Sequence, residues 1–112
     1  WCACYWGGRP TCDWMFRAAY VEDQKWNDTA WKTTESAARF NQLVAMGSAE
    51  LDQKRRAEIY FECQQLIHDD GGTLMPFYNN MVWARGKNVR HGQLAANWDT
   101  DGAKLSERWW FA

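Results

Sequence analysis

The sequence predicts an α/β fragment in which amphipathic helices pack on a small mixed sheet and an extended aromatic tail ends the chain. Two consecutive windows, opening at Ser36 and at Asp52, repeat their apolar residues at the helical period. Short aromatic or apolar runs over 1–8, 73–78 and 81–84 are bounded by Gly, Pro or Asn and read as strands. The final Trp109-Trp110-Phe111 is too apolar for a free tail, so those rings are expected to dock.

Taken in order, 1–8 is expected to be a buried strand that runs into the turn Gly7-Gly8. Pro10 suits a first helical turn, and Thr11 or Asp13 can cap a short helix through Trp14, Phe16 and Tyr20. Residues 21–35 have no sustained period and read as a loop with two aromatic anchors, Trp26 and Trp31. Ala37, Phe40, Leu43 and Val44 then share one helical face, with Gly47 near the end of about three turns. Asp52 caps a longer helix whose apolar face is Ile59, Tyr60, Cys63, Leu66 and Ile67, with Lys54, Arg55, Glu58, Glu62 and Gln65 on the solvated side. Asp69-Asp70-Gly71-Gly72 stops it, a Gly taking the left-handed conformation. Pro76 makes 73–78 an edge strand or a crossover, and 81–84 is a second strand.

The 112 residues carry 13 Lys+Arg against 14 Asp+Glu, a net charge of -1, which leaves no sign excess to hold a nucleic acid. No apolar run approaches the roughly 18 residues of a membrane span. Nine tryptophans stand out in a chain this short. Beginning at Trp1, without an initiator methionine, the chain reads as a piece of a longer one.

Cys2, Cys4, Cys12 and Cys63 match no common zinc spacing, and the even count allows three pairings if all are oxidised. No metal and no cofactor is expected. Asp69-Asp70 is a solvated helix end rather than a general acid/base pair, and His68 beside it suits the negative end of the helix dipole. With no G-x-S-x-G, P-loop, dinucleotide or H-E-x-x-H motif, the chain reads as a binding protein and not an enzyme.

The motifs recur in a definite order: Trp6-Gly7-Gly8-Arg9, Asn27-Asp28-Thr29 with Trp31, Phe40-Asn41-Gln42-Leu43, Asp52 with Arg56, Tyr60 and Gln64, Asp69, and Pro76-Phe77-Tyr78. In that order they resemble the C-terminal part of family 5 extracellular solute-binding proteins, the peptide-, nickel- and opine-type receptors of ABC importers. The resemblance implies a fragment of a periplasmic-binding-protein-like (type II) lobe. Residues 1–75 would end the second ligand-binding lobe, and 76–112 would form a hinge crossover and a segment returning to the first. It also implies a periplasmic location with a signal peptide upstream, a small-molecule ligand (peptide, opine, sugar or phosphate-containing), and a membrane permease as partner. A detached fragment with an uncovered apolar face is expected to self-associate.

Peptide-binding members carry an aspartate at the position of Arg9, where it pairs with the ligand's amino terminus. A guanidinium suits a carboxylate or phosphate instead, so an anionic or sugar-like ligand is expected. The alternative is that Arg9 pairs with Asp13. The expected ligand-binding residues are Trp6, Gly8, Arg9, Asp13, Trp26, Asn27 and Asp28, with Asn27 and Asp28 either orienting the ligand or closing a local turn. Asn41 replaces the usual Asp, and 33–39 is longer than the family's loop. In an oxidising compartment Cys2 or Cys4, close in sequence to Cys12, is expected to bridge to it across the loop bearing Arg9. A second reading of the tryptophan content is a stand-alone carbohydrate-binding or interaction module.

Overall fold

The structure, a computed structural model, describes residues 3–80, 82–95 and 98–112. It combines helices and strands: the described residues hold five helices and one two-stranded antiparallel sheet. The chain divides into two compact units, one containing Thr11–Met75 and the other Ala3–Pro10 with Pro76–Ala112.

The first unit is helical. Its first helix, α1 (Cys12–Ala19), follows Thr11 in extended backbone and buries Phe16 and Ala19. The second, α2 (Glu35–Ala49), is capped by Thr34, whose side-chain oxygen accepts from the Ala37 N–H at 3.1 Å. Its buried face is Ala37, Phe40, Leu43, Val44 and Gly47, the predicted set, over about four turns rather than three. The third, α3 (Gln53–Asp70), is capped by Asp52, which accepts from Arg55 N–H at 2.9 Å. Tyr60, Cys63 and Ile67 of its predicted apolar face are buried, while Ile59 and Leu66 are partly covered. The helix stops at Gly71, and the left-handed residue is Gly72, at φ 66°.

Phe40 is the centre of this unit and is fully buried. Phe16, Tyr20 and Trp31 surround its ring with centroids at 5.6, 6.4 and 5.2 Å, and Tyr60 meets Phe16 edge-on at 5.9 Å. Such edge-to-face and tilted pairs add to the burial term. Across the solvent side of α2 and α3, Arg39 grips Glu62 with two parallel bonds, 2.8 and 3.0 Å.

The second unit holds the sheet: β1 (Val89–His91) pairs antiparallel with β2 (Trp109–Phe111), His91 opposite Trp109. Between them lie two short helices, α4 (Asp99–Ala103) and α5 (Leu105–Arg108). Thr100, Asp101, Gly102 and Ala103 all have positive φ, between 51° and 71°, so α4 is a left-handed turn. For the three residues that bear a Cβ this costs about 1–2 kcal/mol each.

Several expectations are corrected. The sheet is antiparallel and not mixed, and α1 to α3 form a unit of their own, α2 packing on α1 and on α3. Residues 3–8 form no strand, and Ala3, Cys4 and Tyr5 are exposed. Residues 73–80 and 82–84 are likewise irregular, Met81 lying outside the described residues. Apolar runs become strands only when a second edge satisfies their backbone groups, and these runs have no such edge among the described residues. Trp31 is a buried anchor of the 21–34 loop, but Trp26 is 60% exposed. In the tail Trp109 docks, at 6.0 Å from Trp83 and 4.9 Å from His91, whereas Trp110 and Phe111 remain exposed.

Candidate functional site

Of the residues singled out from the sequence, Trp6, Gly8 and Arg9 fall in the second unit, and Asp13, Trp26, Asn27 and Asp28 in the first. Arg9 is the most organised of them. Its guanidinium lies over the Trp6 ring at 5.8 Å and over the Trp98 ring at 5.3 Å. Its Nη1 donates to the carbonyls of Gly7 at 2.9 Å and Gly8 at 3.3 Å. The Gly7 and Gly8 carbonyls hold the side chain back beside its own backbone, and two indole rings lie against the cation; the turn expected at Gly7-Gly8 is not formed. Gly8 contributes its carbonyl. The part Trp98 plays was invisible in the sequence, because nothing near Trp98 marks it as a partner for a residue at the other end of the chain.

Asp13 occupies the first turn of α1, half-buried, on a cleft of about 570 Å³ in the first unit. Arg17, Ser48, Arg56, Tyr60 and Gln64 share that cleft. Gly47 lets α2 and α3 close on its inner side: a Cβ there would stand 2.5 Å from Tyr60 Cε1. Burial pushes the Tyr60 phenol above its ordinary value, while hydrogen bonding to Ser48 pulls it back down. Burial, followed by the charge of Asp13, also raises the Cys12 thiol.

Asn27 closes a turn. Its Nδ2 donates to the carbonyls of Tyr20 (3.2 Å) and Val21 (3.0 Å), and its Oδ1 accepts from Thr29 N–H (3.0 Å) and Thr29 Oγ1–H (2.7 Å). Both donors and the acceptor are used, which is the local-turn alternative. Thr29 Oγ1 in turn accepts from Trp31 N–H at 3.2 Å, and Trp31 Nε1–H donates to Asp70 at 3.1 Å. Hydrogen bonds from Ser36 and Trp31 hold the Asp70 carboxyl below its usual range. Asp28 is exposed, and Trp26 packs its ring under the Lys25 ammonium at 5.1 Å.

No protein-family model matches the chain, and no curated protein or solved structure is similar to it. Its function is therefore read from its own residues.

The residue that sequence reasoning missed is Asp101. It is 1% exposed in the second unit, where its carboxylate accepts from Ala95 N–H at 2.6 Å and Trp109 Nε1–H at 3.0 Å and pairs with Arg108 at 3.1 Å. The Ala95 bond above all holds the carboxyl below its ordinary range. The signal available was Asp-Thr-Asp-Gly over 99–102, a turn composition that does not reveal burial. Cys4, Cys12 and Cys63 are all free, so the expected Cys4–Cys12 bridge is not formed; Cys2 lies outside the described residues. Among the described residues no three His, Cys, Asp or Glu side chains converge, and no helix is long and apolar enough to cross a membrane.

Proposed function

We propose that this chain is the C-terminal part of a family 5 extracellular solute-binding protein, the periplasmic component of an ABC importer that captures a small solute and delivers it to the membrane permease. The reading is supported by the order of the motifs from Trp6-Gly7-Gly8-Arg9 to Pro76-Phe77-Tyr78. The ligand class we assign is anionic, and one observation carries it: the Arg9 guanidinium is stacked between Trp6 and Trp98 and braced by two main-chain carbonyls. A planar cation fixed in this way is a pre-organised positive charge of the kind that suits a carboxylate or phosphoryl group. The amino terminus of a peptide would meet a like charge there.

Calorimetry on the full-length protein, comparing carboxylates, phosphates, sugars and unmodified peptides, tests this reading. An anionic solute should bind, and Arg9→Ala should weaken it by about tenfold or more, the loss of a charge-assisted hydrogen bond. Tight binding of unmodified oligopeptides, indifferent to Arg9→Ala, would overturn it. A second reading, a stand-alone carbohydrate-binding or interaction module, draws on the exposed indoles of Trp14, Trp26 and Trp110. A native reading frame continuing several hundred residues upstream, with a signal peptide, favours the receptor; a native start near Trp1 favours the module.

A further inference from the structure

The cleft of the first unit gathers more positive charge than its neighbours answer. Arg17 enters it from α1, and Arg56 enters from the first turns of α3. The Arg17 Nη2 donates to Ser48 Oγ, and Ser48 Oγ donates to the Val44 carbonyl at 2.7 Å, which anchors that arginine on the end of α2. Arg56 is different. It is half-buried, yet its guanidinium makes no hydrogen bond or ion pair with another described residue. Partly covering a cation without a partner is unfavourable, and a residue that serves only solubility would extend into water. Asp13 is the acid on the same cleft, and it forms no ion pair with either arginine among the described residues.

Tyr60 and Gln64 stand one and two turns along α3 from Arg56, on the same face, and both line the cleft. Two guanidinium forks, a phenol and a carboxamide thus surround a space large enough for a small molecule. Every one of these groups can donate to oxygen.

We propose that this cleft is a binding site for a small oxyanion of the phosphate type, free or as the phosphoryl group of a larger solute, held by Arg17 and Arg56 with Tyr60 and Gln64 as neutral donors. The site is independent of Arg9 and of the transport reading: it lies wholly within Thr11–Met75 and asks nothing of the second unit.

Amide NMR of the 112-residue chain titrated with inorganic phosphate, against sodium chloride at matched ionic strength, provides the test. Phosphate should give saturable shifts at Arg17, Ser48, Arg56 and Tyr60, with a dissociation constant on the order of millimolar, and chloride should not. Arg56→Gln removes the charge without removing any hydrogen bond of the fold, and it should weaken phosphate about tenfold. Arg56→Lys keeps the charge but loses the fork, and should fall between. Arg9→Ala should leave the titration unchanged. Shifts that fail to saturate, that chloride reproduces, or that survive Arg56→Gln undiminished would overturn the proposal. So would a response abolished by Arg9→Ala, which would move the anion to the other unit. Failure of the solute screen on the full-length protein bears on the transport reading alone.

Discussion

Gly47 is required where it stands because α2 and α3 meet over it. A methyl group there would lie 2.5 to 3.1 Å from three atoms of the Tyr60 ring, and that ring is buried against Phe16. Gly47→Ala should therefore destabilise the helical unit by about 1–3 kcal/mol despite its better helix propensity, whereas Gly92→Ala, with open space around it, should not. Urea unfolding followed by far-UV circular dichroism measures both. The cysteines divide in the same way. Cys63 is fully buried, and burial, with Glu62 beside it, pushes its thiol up to about 12. Brief alkylation of the native protein, mapped by mass spectrometry, should label the exposed Cys4 and Cys12 and leave Cys63 unlabelled until denaturant is added. Early labelling of Cys63 would mean that the α2 and α3 interface opens readily.

At the scale of elements, the apolar faces of α2 and α3 and the ends of α3 were legible because everything that specifies them lies within a few residues: a 3.6 period, Asp52 before the first turn of α3, glycines after its last; the Thr34 cap of α2 was not. The strands were not. β1 and β2 are three residues each, and Val89–His91 pairs with a segment twenty residues away. What joins them is Asp101, placed by a left-handed turn to receive Ala95, Trp109 and Arg108 together. Because its folded pKa is depressed, the stabilisation is present above the ordinary carboxylate range and is lost as pH falls through the folded value. Acidification from pH 6 should therefore release the Trp109 indole N–H and the β1 to β2 amides ahead of the helical unit's amides. Asp101→Asn should weaken the hairpin at neutral pH and flatten that pH dependence. An unchanged profile in Asp101→Asn, followed by NMR, would assign the acid sensitivity to other carboxylates.

At the scale of the whole molecule, the two units meet in sequence at Met75 and Pro76, inside an irregular run in which Leu74, Phe77 and Tyr78 are 71–85% exposed. Limited chymotrypsin digestion should cut first between 74 and 78, leaving α1 to α3 intact, and Phe40→Ala should cost that helical unit about 3–5 kcal/mol and expose it to further cleavage. The sequence by itself determined the three helices of the first unit and most of their buried faces, because helical hydrogen bonds and caps close within four residues and the apolar stripe then has to be covered. Only the tertiary structure decided which runs became strands, which of the described tryptophans are buried, and what Arg9 faces. Each of those depends on a partner far along the chain: Trp98 for Arg9, Asp70 for Trp31, Phe111 for Val89. Local spacing carries no record of such partners, since bringing distant residues together is settled by the packing of the completed fold.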